Sequence, residues 1–442
     1  MNNRIFFYFF ILLIVAACKP EIDEFGPDKG SADFSKYIAV GNSLIAGYAD
    51  GDLSKTGQGY SFTNMLAQQF KLVGGGEFKQ PLMTDDMGLG KRRVLGMVTD
   101  CKNVTSLGPV SAGALNPANL ANIYTSQGPF NNFGVPGTKS FLAVYAGYGL
   151  ANPYFGRFMS SSTTSILADA IAGSPTFYTL WLGLDDVFSY AASGGDTGGD
   201  SITPTPVFNA SLTGVVAGLK ATGAKGAIGN IPDITSLPFF TTVPAKGLVL
   251  DASTAALLNG AYAAYNAGAQ TLGVPQIVFT AGANYFIMQD VTPPYNLLGG
   301  LRQMKAGELI RLDIPQDSLK CAYWGSQKPI PSKFVLDLSE INKIKTAIST
   351  FNDLITGLAA ENDLALVDMN AFISTLPAGI VYDGLKFSTT FVTGGMFSLD
   401  GVHPNPRGNA VIANCWIEAI NSKFGAKIPL LNVGDYPGVL FP

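Results

Sequence analysis

Charge is what this chain has least of: Asp, Glu, Lys and Arg make up 14% of its 442 residues, against roughly 25% in ordinary soluble domains. The 28 basic and 32 acidic residues leave a net charge of −4, and no Lys/Arg-rich run interrupts the sequence. That excludes nucleic acid as the partner, and equally an anionic membrane surface held by charge alone. One histidine, His403, and four cysteines are too few for the usual transition-metal ligand set, so a metal-dependent hydrolase ranks last among the enzyme classes considered. The 51 glycines and 26 prolines stay below the proportion at which low complexity becomes the default. No apolar run reaches the roughly 20 residues that span a bilayer as a helix. What is abundant is apolar side chain, 47% of the total, enough for a large core. Length alone is consistent with three domains or with one α/β domain that carries insertions.

Arg4 precedes the apolar run from Ile5 to Ala17, which ends Val15-Ala16-Ala17-Cys18. A charged start, a short apolar stretch and small residues make a signal peptide of residues 1–17. Its end resembles the bacterial lipobox, in which the cysteine thiol is acylated and the chain is cut just before it. Cys18 is thus the expected lipidation site, an anchor without a spanning helix. The chain is then expected in the cell envelope, lipid-anchored at the outer membrane and facing the periplasm or the outside. The polar, proline-broken stretch from Lys19 to Pro27 suits a tether over residues 18–35. A transmembrane β-barrel would need serial alternating strands, and the helical segments below displace it. Three cysteines remain in an oxidising compartment, so at most one internal disulfide forms. Cys101 with Cys321 is the preferred pair, because Cys415 falls in an apolar helical stretch; the other pairings stay open.

Beyond the tether the chain alternates buried strands with amphipathic helices. Tyr37-Ile38-Ala39-Val40, Phe177 to Leu182, Ala227-Ile228-Gly229 and Leu364-Ala365-Leu366-Val367 read as strands. A helix is predicted from Ser61, its N-cap, to Leu72, with Phe62, Met65, Leu66 and Phe70 on one face. A second opens at Thr205-Pro206 and aligns Phe208, Leu212, Val215, Val216 and Leu219. A third aligns Ile341, Ile344, Ile348, Phe351, Ile355 and Leu358. Helices alternating with continuous apolar strands imply an α/β domain with a parallel sheet covered on both faces. Residues 73–136 and 283–335 lack periodic runs and are predicted to be long insertions within one domain, 36–442. The acidic, glycine-rich stretch from Ala192 to Asp200 lacks the spacing of a calcium loop and reads as surface.

His403 lies in Asp400-Gly401-Val402-His403-Pro404-Asn405-Pro406. Pro404 biases it to extended backbone, while Asn405 and Pro406 launch a helix. Asp400 is spaced to accept from the imidazole, fix its tautomer and stabilise the imidazolium; a turn aspartate with a capping histidine would give the same pattern. Ser43 follows the first strand directly, at the carboxyl edge where open α/β sheets bind ligands; a helix N-cap serine would look alike. The G-x-S-x-G elbow of α/β-hydrolases is absent.

Four short blocks in order carry a resemblance. Gly41-Asn42-Ser43-Leu44 is similar to the G-D-S-L block of the SGNH (GDSL-type) hydrolases, Asn132-Phe133-Gly134-Val135-Pro136-Gly137 to their second block, Gly183-Leu184-Asp185-Asp186 stands in place of G-x-N-D, and Asp400-Gly401-Val402-His403-Pro404 matches D-x-x-H. The texture around them resembles exported lipoproteins of Bacteroidetes-type bacteria. The resemblance implies a flavodoxin-like three-layer sandwich and a serine esterase that cleaves carboxylic esters, lipid acyl or glycan acetyl, as a monomer without cofactor or metal. Ser43 would be the nucleophile, His403 the general base and then acid, and Asp400 the orienting carboxylate. The oxyanion hole would use the N–H groups of Ser43 and Gly137, and a side chain at position 185.

That side chain is asparagine in the family and Asp185 here. An ionised carboxylate only accepts hydrogen bonds, and loss of one oxyanion donor costs roughly 2.7–4 kcal/mol. Three readings follow: Asp185 is buried and protonated, it turns away, or the protein has become a lipoprotein that binds glycan or lipid in the former cleft. The two insertions are expected to wall that cleft, and Tyr154, Phe155 and Trp324 are candidates to line it.

Overall fold

A computed structural model describes residues 26–441. Among them five strands form a parallel sheet: β1 (Tyr37–Gly41), β2 (Asn132–Gly134), β3 (Phe177–Trp181), β4 (Lys225–Gly229) and β5 (Ala365–Val367). Their order across the sheet is β2-β1-β3-β4-β5, the flavodoxin-like arrangement whose direction of winding reverses between β1 and β3. β1 and β3 are buried along their whole length, as strands covered on both faces must be.

The principal helices are α1 (Phe62–Lys71), α2 (Leu184–Ser193), α3 (Thr205–Lys220), α4 (Leu338–Glu361) and α5 (Pro406–Phe424). Alternation along β3 divides the core. Trp181 meets Phe62 of α1 and Trp416 of α5 on one face. On the other, Phe208 of α3 stacks on Phe351 of α4 with ring centroids 3.9 Å apart. Ser61 caps α1 through Asn64 N–H at 3.2 Å. Asp337 and Glu340 close a capping box on α4, and Asn405 caps α5 with Pro406 at the first helical position. Each start follows from a side-chain acceptor that satisfies N–H groups a helix leaves open.

Three boundaries differ from expectation. The tether predicted to reach residue 35 ends sooner: Ser31 N–H bonds to Phe424 O at 2.9 Å, and Ala32 and Phe34 are in the core. Only two apolar residues make that attachment, too few for a periodic signal. Strand β2 lies inside the predicted 73–136 insertion, because a three-residue strand leaves no pattern. The second excursion begins near residue 243 rather than 283. Helices Ala252–Ala261 and Ala263–Leu272 belong to it, and their alanine-rich spacing resembles that of framework helices. It has two small cores of its own, one around Phe286, Met288, Ile310 and Ile330, the other around Leu258, Ile277, Phe279 and Ile287. Arg302 is buried there between Asp290, at 2.6 Å, and Glu308, which it meets through two bonds at 2.7 and 2.9 Å.

The expected signal peptide, residues 1–17, and the expected lipidation site Cys18 lie outside the described residues. Among those described, no helix is long and apolar enough to cross a membrane.

The first excursion projects an antiparallel hairpin, Arg93–Thr99 with Thr105–Ser111. Its tip is fastened to the second excursion by the disulfide Cys101–Cys321 and by Lys320 with Asp100 at 2.9 Å. Cys415 is the free thiol among the described residues; it packs against the core, and burial pushes it up to about 12. The cross-link joins positions 220 apart, so loop-closure entropy alone makes it worth about 5 kcal/mol. Replacing both cysteines by serine is expected to free the hairpin tip, with limited proteolysis cutting within residues 100–104 faster than in the parent protein.

Candidate active site

Register brings the site together. Gly41 of β1 pairs with Gly134 of β2 and with Trp181 of β3, so three strands end at one level. The residues just beyond them, 42–43, 135–137 and 182–185, converge at the reversal point. Gly41 has to be glycine, because a Cβ there would lie 2.2 Å from Trp181 O. Asn42 Oδ1 accepts from Leu44 N–H at 3.1 Å and starts the single helical turn Ser43–Ala46.

On the far side of the chain, Asp400 organises the loop before α5. Its Oδ1 accepts from Val402 N–H at 2.9 Å and His403 N–H at 2.8 Å, an Asx turn that turns the imidazole back over the carboxylate. Its Oδ2 accepts from Gly51 N–H at 3.1 Å and lies 2.8 Å from His403 Nδ1. The other ring nitrogen, Nε2, lies 2.8 Å from Ser43 Oγ. Ser43, His403 and Asp400, 360 residues apart at their extremes of contact, therefore form one continuous chain of hydrogen bonds. Burial alone would raise the Asp400 carboxyl, but the His403 imidazole and the N–H donors outweigh it and hold the group below the usual carboxylate range. With Asp400 ionised, Nδ1 keeps its proton and Nε2 is free to accept from the serine.

Gly137 stands at φ +78 with open space where a Cβ would point. Its turn is held by Val135 N–H to Gly41 O at 3.0 Å and by Asn152 Nδ2 to Pro136 O at 2.9 Å. Asp185, in the first turn of α2, is 7% exposed. Its Oδ2 is sealed from solvent and has no hydrogen-bond partner among the described residues, and the same is true of Asn42 Nδ2. The Asn42 amide is a neighbour that favours the charged form of this carboxyl. Burial lifts the Asp185 carboxyl to about 7; Asp186 pushes the same way, and His403, Asn42 and Lys139 oppose it. Behind these groups lies an apolar cavity lined by Leu44, Leu184, Val402 and Phe397. Leu44, Leu184 and Val402 adjoin Ser43, Asp185 and His403 in the chain, so the polar groups are backed by a dry wall in which their electrostatics are strong.

Several contributors escaped the sequence reading. Asp50 bonds to Leu399 N–H at 3.0 Å, and its own N–H bonds to Ser398 Oγ at 2.9 Å; Gly51 follows with its bond to Asp400. The Asp50-Gly51 dipeptide is a turn signal that would have marked this clamp. Tyr48 places its ring 4.7 Å from the imidazole. Of the three aromatics expected to line the cleft, Phe155 is core, Trp324 packs on Phe334 in the second excursion, and Tyr154 donates to Asp52 at 2.8 Å. Their apolar area is used for packing, which is where most aromatic side chains go. In the stretch from Ala192 to Asp200, Asp196 pairs with Lys343 and Asp200 with Lys139.

No protein-family model matches the chain, and no curated protein matches it. Solved structures similar to it include an α/β hydrolase from the metagenome of Lake Arreo, Spain, at 13% identity over 88% of this chain and 96% of that one, with a TM-score of 0.34. A GDSL-like lipase, described as putative, from Parabacteroides merdae is 10% identical over 89% and 99%, TM-score 0.34. An acetylxylan esterase from Geobacillus stearothermophilus is 11% identical over 88% and 95%, TM-score 0.35. The fold class rests on the strand order of the sheet itself.

The Asp185 carboxyl has a measurable signature. An unfolded chain releases this proton near 3.8 and the folded one holds it to about 7. In that window the unfolded state binds fewer protons, so stability falls as pH rises from about 4 to about 7. Asp185→Asn removes the dependence. Its melting temperature is expected to exceed that of the parent by roughly a few degrees above pH 7, the gap closing towards pH 4, as read by thermal unfolding across that range.

Proposed function

We propose that the chain is a serine ester hydrolase of the SGNH (GDSL) type that cleaves carboxylic esters, lipid acyl or glycan acetyl, while anchored in the cell envelope through lipid on Cys18. The observation that supports it is the hydrogen-bonded chain from Ser43 Oγ through His403 to Asp400, 2.8 Å at each link, placed where the sheet reverses its winding. Ser43 Oγ attacks the ester carbonyl carbon as its proton passes to His403 Nε2. The carbonyl π electrons move to oxygen, which accepts from the N–H groups of Ser43 and Gly137. The C–O bond to the alcohol then breaks and His403 returns the proton to the departing oxygen. Water repeats the sequence on the acyl-serine, with His403 again as base, and frees the acid. Asp400 stabilises the imidazolium at both stages.

A second reading, a lipoprotein that binds glycan or lipid without turnover, draws on Asp185 alone. A fluorophosphonate probe separates the two, because labelling demands an activated serine.

Ser43→Ala is expected to abolish hydrolysis of p-nitrophenyl acetate, and Asp400→Asn to lower kcat by about 10⁴ through the wrong imidazole tautomer. For the parent, kcat/KM is expected to fall at low pH, because a protonated base cannot accept from Ser43. Full activity in Ser43→Ala, or a flat acid limb, overturns the assignment.

A further inference from the structure

Asp185 is a buried titratable group at the site to which the proposed cycle gives no task. Its position is built rather than incidental. It stands in the first turn of α2, four residues beyond the end of β3, as Ser43 stands two beyond the end of β1, and its charge acts on His403 and adds to the burial that raises the phenols of Tyr48 and Tyr148. Tyr148 in turn donates to Gly137 O at 3.4 Å, so Asp185 and Gly137 share Tyr148 as a neighbour. The groups that face the carboxyl are Asn42 from beyond β1, His403 from the loop before α5, Lys139 from the segment after Gly137, and its neighbour Asp186. Lys139 is engaged with Asp200 at 2.5 Å, and Asp186 is spent on Ser140, accepting from its N–H and hydroxyl at 2.8 and 2.7 Å. Of these groups Asn42, through Nδ2, offers a neutral donor that has no partner among the described residues.

A carboxylate sealed on one oxygen, with a single amide for company, is poorly solvated; a carboxylic acid there is both cheaper to bury and able to donate. Resting on the ester-hydrolase reading, we propose that Asp185 acts as a neutral acid, one oxygen accepting from the Asn42 amide while the O–H of the other donates to the oxyanion formed at Ser43. Asp185 keeps its proton throughout, so the balance of the acyl-transfer step is unchanged: the only proton that moves is the one between Ser43, His403 and the leaving alcohol. The active state then has Asp185 protonated and His403 neutral. Loss of that proton at higher pH removes the donor and puts an anion beside the oxyanion.

The test is kcat/KM for p-nitrophenyl acetate with the full chain from about pH 5 to about pH 9, beside Asp185→Asn, Asp185→Ala and the exchange Asn42→Asp with Asp185→Asn. The parent is expected to give a bell, falling at least tenfold between about pH 7 and about pH 9. Asp185→Asn, which supplies a permanent donor, loses the basic limb and exceeds the parent at about pH 9. Asp185→Ala loses the basic limb too but runs about 10²- to 10³-fold lower than the parent at its optimum. The exchanged pair is active and without a basic limb, whereas Asn42→Asp alone, with two carboxyls face to face, is slower than the parent. A parent rate that depends on Ser43 yet stays flat to about pH 9, or an Asp185→Ala rate equal to the parent, overturns the role of Asp185 and leaves the ester hydrolase standing. Absence of Ser43-dependent turnover in both the parent and Asp185→Asn overturns the hydrolase reading and this proposal with it.

Discussion

The Asp400 carboxylate accepts two backbone N–H groups of its own turn, a third from Gly51 and the imidazole of His403, and the geometry at the mouth of the sheet depends on that arrangement. A buried carboxylate is tolerated only when its lone pairs are used. The use found here also fixes which way the imidazole points and which nitrogen is protonated. Ser398 N–H to His403 O at 2.8 Å and Asn405 N–H to Met396 O at 3.0 Å close the loop from behind. Loss of Asp400 therefore removes an orienting charge and the knot of a turn at once.

Both excursions are rooted at that knot. The hairpin leaves through Arg93, whose N–H bonds to Asp50 O at 2.8 Å, and through Lys91, bonded to the buried Asp52 at 2.9 Å. Asp52 also accepts from Leu53, Leu89 and Tyr154, so one carboxylate ties the base of the hairpin to the loop beside His403. The second excursion meets the other side, Phe239 N–H bonding to Gly401 O at 2.9 Å and Leu312 N–H to Phe239 O at 2.7 Å. The two then join again at Cys101–Cys321. Segments that leave from opposite sides of Asp400 and are cross-linked at their far ends restrain each other and, through their roots, the turn itself.

Much of the framework was legible because its signals are local. Phe208, Leu212, Val215, Val216 and Leu219 face the core of α3 as their spacing implies, and the caps Ser61 and Asn405 sit at the helix starts they announce. What escaped was short or non-periodic: the three residues of β2, the attachment of Ala32 and Phe34, and the helices from Ala252 to Leu272, whose alanine spacing looks the same in an excursion as in the framework. At the site, Ser43, His403 and Asp400 were visible as types in suitable turns, and the structure brings all three together. Asp50, Tyr48 and Asn42 were not, since each acts through a contact whose other half lies far away in the chain.

By itself the sequence determined which segments are helix and strand, that the strands are buried on both faces, and which side chains have the chemistry of a nucleophile, a base and an orienting acid. These follow from periodicity, capping and residue type, all properties of neighbours in the chain. Only the tertiary structure decided that Ser43 Oγ stands 2.8 Å from His403 Nε2, that Asp185 Oδ2 and Asn42 Nδ2 are buried without a hydrogen-bond partner among the described residues, and that the Asp185 carboxyl is lifted to about 7. The physical reason is that distance and desolvation are set by strand order and register, which bring the ends of β1, β2 and β3 level and close them off from water. A residue's identity gives it a charge to lose; what surrounds it in space decides whether it loses it.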